Sequence, residues 1–246
     1  MDHLIYTAMS GANAAAQRQA VLSNNLANAS TQGFRAELST FRAVPVRGDG
    51  ASTRVFALEA TSGHDSTPGA TQRTGRPLDV MAQGNAWLAV QGLDGTEAYS
   101  RSGALQVSPT GTLVNSSGLM VLSDGGAPID VPPGADISIG SDGTVTSKTG
   151  DQPVSTLGRL KLATPTQEDP LKRSDDGLFR TASQEPVPSD TTARVETGAL
   201  EGSNVNPVET MVGMIAAARQ FDAQMRLLQS AEASDKSASQ LLSVQG

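Results

Sequence analysis

Apolar residues at the start of the chain recur at intervals of three and four, the spacing that places side chains on one face of an α-helix. This pattern predicts a first helix from about Asp2 to about Ala27. The apolar stripe is narrow and rich in alanine, which is typical of the seam between two closely packed helices. The stripe consists of Met1, Ile5, Ala8, Ala12, Ala15, Gln19, Leu22 and Leu26.

A second helical pattern begins after Asn206, where Pro207 occupies a position that the first turn of a helix tolerates. It predicts a helix from about Pro207 to about Leu242, roughly 53 Å long at 1.5 Å per residue. Such a helix is longer than the β domain predicted between the two helices could cover, so both ends carry apolar stripes with too little of the same chain to bury them. The apolar positions of the second helix are Met211, Met214, Ala218, Phe221, Met225, Leu228 and Leu242.

Between the helices the apolar period changes to two, and short apolar runs are separated by Asp-Gly pairs. Asp-Gly suits tight hairpin turns because both residues tolerate a positive φ. The segment therefore predicts an antiparallel β domain and an α+β fold overall. The predicted strands are Leu78–Met81, Trp87–Gln91, Ala98–Ser100, Leu105–Val107, Leu113–Val114, Leu119–Leu122, Ile137–Ile139, Thr144–Ser147 and Leu157–Leu162.

These patterns divide the chain into four parts. Residues 1–30 hold the first helix, and residues 31–76 are polar, punctuated by proline and glycine, and predicted to be extended linkers and loops. Residues 77–195 form the β domain, and residues 196–246 form an approach segment and the second helix.

Aromatic residues make up only 3% of the chain, while it has 25 glycines and 13 prolines, which favours an extended, turn-rich architecture over one dense core.

Charge and composition exclude several classes of function. The net charge is -7 and no basic run is present, which argues against nucleic acid as a partner. No apolar run approaches the 18 residues of a membrane span, and no basic segment followed by an apolar one marks a cleaved Sec signal. We therefore expect no membrane insertion. The chain has no cysteine, which excludes disulfides, thiolate catalysis and cysteine-ligated zinc.

Residues with catalytic potential form no recognisable constellation. His3 and His64 lack the partners of a catalytic triad and the spacing of a metal site, and no glycine cluster forms a phosphate-binding loop. We expect no enzymatic activity and no catalytic, metal-binding or cofactor-binding residues. Trp87 is interpreted as a core residue or as a platform for stacking carbohydrate. The second interpretation leaves open a secreted β-rich glycan-binding module as an alternative function.

The residues that end the first helix carry a family resemblance. Residues 23–35, Ser-Asn-Asn-Leu-Ala-Asn-Ala-Ser-Thr-Gln-Gly-Phe-Arg, resemble the N-terminal signature of flagellar rod and hook proteins. Three further blocks resemble the family in the same order along the chain: residues 76–91, residues 98–114 and residues 198–206. The signature and turn residues are Asn24, Asn25, Asn28, Thr31, Gly33, Phe34, Asn204 and Asn206.

Within that family, residues 1–9, 76–79 and 175–180 resemble a proximal-rod subunit more than the alternative, a distal-rod subunit. The resemblance implies a structural subunit of the bacterial flagellar basal body, located in the rod that spans the periplasm. It implies that the two helices form a coiled-coil-like inner domain that encloses the export channel and transmits torque. The implied partners are other rod subunits, proximal and distal, and the flagellar type III export apparatus. The apolar stripes of both helices would form the subunit interface.

Overall fold

The fold is α+β, with two long helices at the ends and short strands between them. The computed structural model describes residues 2–45 and 55–243. Met1, the first member of the predicted stripe, and residues 46–54 of the predicted linker lie outside this range. The chain divides into two compact units. The helical unit comprises the described parts of Met1–Ala29, Glu37–Gly63 and Val205–Gly246, and the β unit comprises Ser30–Ala36 and His64–Asn204.

The helical unit contains both predicted helices, and their predicted positions are confirmed. Helix α1 covers Asp2–Ala27 and helix α2 covers Pro207–Ser243. Helix α2 begins where it was predicted because the Asn206 side chain caps it. Its Oδ1 accepts hydrogen bonds from the backbone N–H groups of Val208 at 3.1 Å and Glu209 at 3.3 Å, which the helix itself cannot satisfy.

The two helices lie antiparallel against each other. Gly11 of α1 lies opposite Gln224 of α2, and Leu22, eleven residues further along α1, lies opposite Gly213, eleven residues earlier in α2. Strands β1 (Glu37–Pro45) and β2 (Val55–His64) form a two-stranded sheet in the same unit.

The polar segment before the β domain contains strands that the pattern did not indicate. The half-buried positions of β1 are not uniformly apolar: they include Glu37 and Ser39 as well as Phe41. A strand of this composition gives no alternation of apolar and polar residues, so periodicity cannot reveal it.

The β unit is built from short antiparallel strands. A five-stranded sheet has the order β12-β5-β6-β14-β13, a three-stranded sheet has the order β11-β10-β9, and three strand pairs, β15-β4, β16-β3 and β7-β8, complete the described part. The bounds are β3 Thr71–Arg73, β4 Val80–Ala82, β5 Trp87–Gln91, β6 Glu97–Ser100, β7 Leu105–Val107, β8 Leu113–Asn115, β9 Asp136–Ile139, β10 Thr144–Lys148, β11 Ser155–Arg159, β12 Leu162–Ala163, β13 Leu171–Arg173, β14 Phe179–Thr181, β15 Val195–Thr197 and β16 Ala199–Glu201.

Strand β5 organises the core because it is buried on both faces. Successive side chains of a strand point to opposite faces. Leu88 and Val90 therefore join the larger apolar cluster, while Trp87 and Ala89 join a second cluster with Phe179. The predicted strand at residues 87–91 is confirmed, whereas the predicted strand at 119–122 makes only isolated bridges, such as that between Val90 and Val121.

Candidate subunit interface

The predicted stripe of α1 lies on the covered face of that helix. Ala8, Ala12 and Ala15 are buried, and Ile5, Leu22 and Leu26 are half-buried. The helices approach closely at two glycines. A Cβ atom added to Gly11 would lie 3.0 Å from Gln224 Cδ, and one added to Gly213 would lie 3.2 Å from Leu22 Cδ1. Small residues thus set the spacing of this helix pair.

The predicted stripe of α2 overlaps the covered side of that helix only in part. The residues of α2 that are buried are Thr210, Ala217 and Ala231, all of them small. Met211 is 50% exposed and Met225 is 37% exposed. The other predicted positions whose side chains are described, Met214, Ala218, Phe221 and Leu228, are half-buried, and the side chain of Leu242 lies outside the described part. The fully buried positions of α2 are small, and the larger apolar residues of the stripe are half-buried or exposed.

The first two turns of α2 leave large apolar side chains exposed. Val208, Met211, Val212 and Ile215 are 71%, 50%, 62% and 54% exposed. Their spacing of three and four residues puts them on one side of the helix, and we call this surface the apolar face. Residues 211–218 carry no charged or polar side chain, so this stretch is apolar all round, a pattern typical of a helix buried on every side. In the described chain α1 covers one side only.

A groove lies on the helical unit between the helices and the two-stranded sheet. It has a volume of about 460 Å³. The sheet is held on α1 by Ser10, whose Oγ donates to the Ala57 carbonyl at 3.1 Å and accepts from the Ala57 N–H at 3.0 Å. The walls come from all four elements: Thr7, Ala8 and Gly11 of α1, residues 41–43 of β1, residues 55–57 of β2, and Gln224 and Leu227 of α2.

The signature asparagines have structural roles within the helical unit. Asn28 donates its backbone N–H to the Asn24 carbonyl at 3.1 Å, and its side-chain amide donates to the same oxygen at 3.0 Å, where α1 ends. Asn25 is buried and pairs with the first residue of β1. Its Oδ1 accepts the Glu37 N–H at 2.8 Å, and its Nδ2 donates to the Glu37 carbonyl at 3.0 Å. The side-chain amide both donates and accepts here, so it satisfies both backbone groups of Glu37.

The signature turn continues in the β unit, where Gly33 cannot be replaced without strain. Its φ is 68°, and its N–H donates to the Glu201 carbonyl at 2.8 Å. A Cβ atom at this position would lie 2.4 Å from the carbonyl carbon of Arg101. Phe34, whose N–H donates to the Thr31 carbonyl, is buried with the Arg173 guanidinium 4.2 Å above its ring. The Gly-Phe pair therefore fixes the chain against the β unit.

Gly33→Ala is expected to lower the free energy of unfolding of the β unit by about 2–3 kcal/mol, since a positive φ costs a non-glycine residue about 1–2 kcal/mol and the overlap with backbone atoms adds to it. Gly75→Ala is the matched control: φ is 72°, but an added Cβ meets nothing within 4 Å. It should cost only about 1 kcal/mol. Urea unfolding of both variants measures this, and equal costs would contradict the role of the close approach.

Asn204 joins two segments of the β unit. Its Oδ1 accepts the Ala36 N–H at 2.7 Å, and its Nδ2 donates to the carbonyls of Asp65 at 3.1 Å and Thr67 at 2.9 Å. Its own N–H donates to the Phe34 carbonyl at 3.3 Å. One side chain therefore ties the signature turn to residues 65–67.

Three charged side chains form a buried cluster beside this turn, which we call the ion cluster: Arg35, Arg101 and Glu201. Glu201 lies 2.7 Å from Arg35 Nη2 and 3.5 Å from Arg101 Nη1, and all three side chains are at most 3% exposed. Glu201 also accepts the Gly69 N–H at 2.9 Å. Burial lowers the pKa of Arg101 to about 10 and lowers that of Arg35, while Glu201 acts to raise both.

Sequence reasoning did not single out the ion cluster, although all three residues lie in family-like blocks. Arg101 also donates to the Ala82 carbonyl at 2.7 Å and to Gly84, and Arg35 donates to the Ser66 carbonyl at 3.2 Å and to Thr67. The available signal was that each of the three is the only charged residue of its block.

Trp87 is a core residue, one of the two interpretations that the sequence allowed. It is 2% exposed and lies 4.6 Å, ring centroid to ring centroid, from Phe179. His64 contacts both rings edge-on, at 5.8 Å from Trp87 and 4.8 Å from Phe179. A tryptophan enclosed in this way has no free face on which a sugar could stack.

The β unit is expected to become less stable as the pH is lowered, because the folded state resists protonation of His64. Burial lowers the pKa of His64 below its ordinary value of 6.5, and the nearby Arg35 and Arg173 lower it further, against the opposing effect of Asp65. Below pH 6.5 the unfolded chain thus binds a proton that the folded chain resists, and stability is lost as the pH falls toward the folded-state pKa. His64→Phe should flatten this dependence in urea midpoints measured between pH 7 and pH 5. An unchanged slope would contradict the assignment to His64.

Two further observations concern ligands and membranes. Among the described residues, no group of three or more His, Asp or Glu side chains could hold a metal ion. Neither described helix is long and apolar enough to cross a membrane.

Comparisons with known proteins match three parts of the chain to flagellar protein families. Residues 5–35 match the family described as flagella basal body rod protein, residues 81–147 match the flagellar hook protein FlgE/F/G D1 domain, and residues 196–241 match the flagellar basal body rod FlgEFG protein C-terminal family. The flagellar basal-body rod protein FlgF of Salmonella typhimurium is 47% identical over 253 aligned residues, which cover 99% of this chain and 100% of the relative. The chain belongs to the flagellar basal-body rod protein family.

Sequence identity to other relatives distinguishes the FlgF branch of this family from the FlgG branch. FlgF of Escherichia coli K12 is 48% identical, again over 99% of this chain and 100% of the relative. The rod protein FlgG of Bacillus subtilis is 31% identical over 91% of this chain and 93% of its own length. Identity to these two FlgF proteins thus exceeds identity to this FlgG, which supports the FlgF branch. The matches at the two ends of the chain fall on α1 with the signature turn and on α2.

Proposed function

We propose that this member of the rod protein family is a structural subunit of the proximal rod that polymerises through its terminal helices into the axial drive shaft. The observation that carries the proposal is which residues of α2 are buried and which are exposed. Small residues such as Ala217 form the seam with α1, while the larger Val208, Val212 and Ile215 stay exposed. Exposed apolar faces of this kind mark interaction sites.

The size of the apolar face indicates how many contacts each subunit needs. Burying a large aliphatic side chain contributes about 1.5–3 kcal/mol, so four side chains that are already about half buried would contribute about 3–6 kcal/mol. Association costs an estimated 4–15 kcal/mol or more in lost freedom. One such contact does not hold a subunit by itself. Several contacts per subunit do, which is the situation inside a helical lattice.

The inner domain of the rod would consist of residues 1–30 and 196–246, with the antiparallel pair of α1 and α2 acting as a coiled-coil-like unit. In this arrangement the helices enclose the export channel and transmit torque, and the β unit sets the lateral packing. The proposed partners are the other proximal and distal rod subunits, and the flagellar type III export apparatus delivers the chain. The resemblance of residues 23–35 to the rod and hook signature supports these roles.

Two alternatives receive less support. A distal-rod role rests on the 31% identity to FlgG of Bacillus subtilis, well below the 47% identity to FlgF of Salmonella typhimurium. A glycan-binding module rested on Trp87, which is enclosed in the core. Saturable binding of the full chain to purified peptidoglycan, with normal rods in its absence, would revive the second alternative.

The proposal is tested by removing the protein from a flagellated cell that encodes it. Deletion should abolish swimming and leave basal bodies without a complete rod, and expression of the chain from a plasmid should restore both. An epitope-tagged chain should be recovered in purified basal bodies. Complete rods and normal swimming in the deletion strain would overturn the proposal.

A further inference from the structure

We infer that the apolar face of one subunit docks into the groove of a second copy of this chain, so that successive copies join head to tail. The inference rests on the proposed function and adds to it the two surfaces that meet. Both surfaces belong to the helical unit, and both are open in the single chain.

The groove has the apolar walls that the apolar face requires. Phe41 and Phe56 are half-buried, whereas Val55 and Leu227 remain 48% and 49% exposed at its margin. Its volume of about 460 Å³ accommodates aliphatic side chains from a neighbouring helix. A helix that lays residues spaced by three and four into an apolar groove is a recurring mode of protein recognition.

Charges beside the two surfaces are complementary. Glu209 is exposed in the first turn of α2, next to Val208 of the apolar face. Arg42 is exposed on the wall of the groove. Neither makes an ion pair with another residue of the described chain. Opposite charges at the edge of an apolar contact favour one register and disfavour others.

The positions of the two surfaces exclude docking within a single chain. The apolar face is centred near residue 212 of α2, and the groove meets α2 near residue 226. This separation of about 14 residues corresponds to ~20 Å along the helix. A straight helix cannot bring these two parts of itself together, so the occupant comes from another chain. Because the face and the groove are different surfaces, the contact is heterologous, which is the type that produces open filaments wherever its rotation does not close into a ring.

Pairing of two apolar faces with each other is the principal alternative within the same assembly. It would bring the two Glu209 side chains of adjacent copies toward one interface and would leave the groove empty. Like charges in such a contact are unfavourable. The head-to-tail arrangement covers both surfaces and pairs Glu209 with Arg42.

The absence of native cysteine permits a direct test. Val212→Cys with one epitope tag and Ala43→Cys with a second tag are expressed together in the deletion strain, and purified basal bodies are treated with a short bis-maleimide crosslinker. Both substitutions replace exposed side chains by one of similar size, and Ile215→Cys provides a second probe of the apolar face. Ala16→Cys is the matched control, since Ala16 is exposed on α1 and lines a different cavity of about 690 Å³.

The expected product is dimer-sized and carries both tags, and it is lost when Ala16→Cys replaces Ala43→Cys. Neither Val212→Cys nor Ala43→Cys expressed alone should give a dimer. Self-crosslinking of Val212→Cys, crosslinking to Ala16→Cys, or crosslinking only to a different rod subunit would overturn the inference. Recovery of the tagged native chain in basal bodies and restoration of swimming by it test the proposed function separately, so the proposed function can stand even where the docking arrangement fails.

Discussion

Glu201→Ala is expected to lower the free energy of unfolding of the β unit by about 3–5 kcal/mol, the cost of removing one partner from a buried ion pair. The carboxylate lies between the guanidinium groups of Arg35 and Arg101, and it also accepts the N–H of Gly69. Without it, two positive charges remain in a site where water is excluded. The loss would exceed that of an ordinary cavity because the remaining charges lack a counter-charge.

Trp87 provides the measurement for Glu201→Ala, since it is the only tryptophan and is buried in the β unit. Its fluorescence during urea unfolding reports this unit directly. Glu201→Gln should recover only part of the loss, because an amide oxygen still accepts from Gly69 but carries no charge. Glu196→Ala is the matched control: Glu196 lies 3.9 Å from Arg73, whose side chain is 86% exposed. A surface pair of this kind contributes about 0–1 kcal/mol. Similar midpoints for the two alanine variants would contradict the role of the ion cluster.

The sequence predicted the helices better than any other feature. The residues at the helix ends form hydrogen bonds that fix where each helix begins or ends: Asn206 caps α2, and Asn24 and Asn28 end α1. Strand β5 was also predicted within its bounds, since the apolar run from Trp87 to Gln91 is flanked by turn residues. Each of these signals lies within a few residues of the element that it specifies.

Strands stabilised by distant partners escaped prediction. Strand β16 pairs with β3, and β15 pairs with β4, across more than a hundred residues of sequence. Of these, β3, β15 and β16 were not predicted, because three residues are too few for a period of two to emerge, whereas β4 overlaps the predicted strand Leu78–Met81. Strand β1 was missed for another reason, because its covered positions include a glutamate and a serine.

The candidate site was predicted in part. The alanines of α1 were located because their spacing is regular. On α2 the pattern could not distinguish the seam from the apolar face, because residues 211–218 are apolar in every direction. Apolar periodicity identifies positions by the hydrophobicity of their side chains. The close approach of the helices at Gly213 and Ala217 depends instead on the small size of those side chains. The ion cluster also escaped, since three charges far apart in sequence give no pattern until the fold brings them together.

Ile215→Asp is expected to abolish assembly of the rod while leaving the subunit folded. Ile215 is 54% exposed in the helical unit, so the substitution should change the stability of the free subunit by no more than about 0.5 kcal/mol. At an interface the same change removes the burial of an isoleucine, worth about 1.5–3 kcal/mol, and introduces a carboxylate that must lose its water. Each 1.4 kcal/mol is tenfold in affinity, so addition of each subunit should weaken by more than about tenfold.

Swimming in soft agar and electron microscopy of purified basal bodies measure this effect, and the Trp87 unfolding midpoint confirms that the β unit is intact. Gln220→Asp is the matched control, because it introduces the same charge at an exposed position of α2 outside the apolar face. It should leave swimming unchanged. Normal rods with Ile215→Asp would show that the apolar face lies open in the assembly. Failure of both variants would instead mean that α2 tolerates no added charge, and assembly would then depend on the whole helix surface.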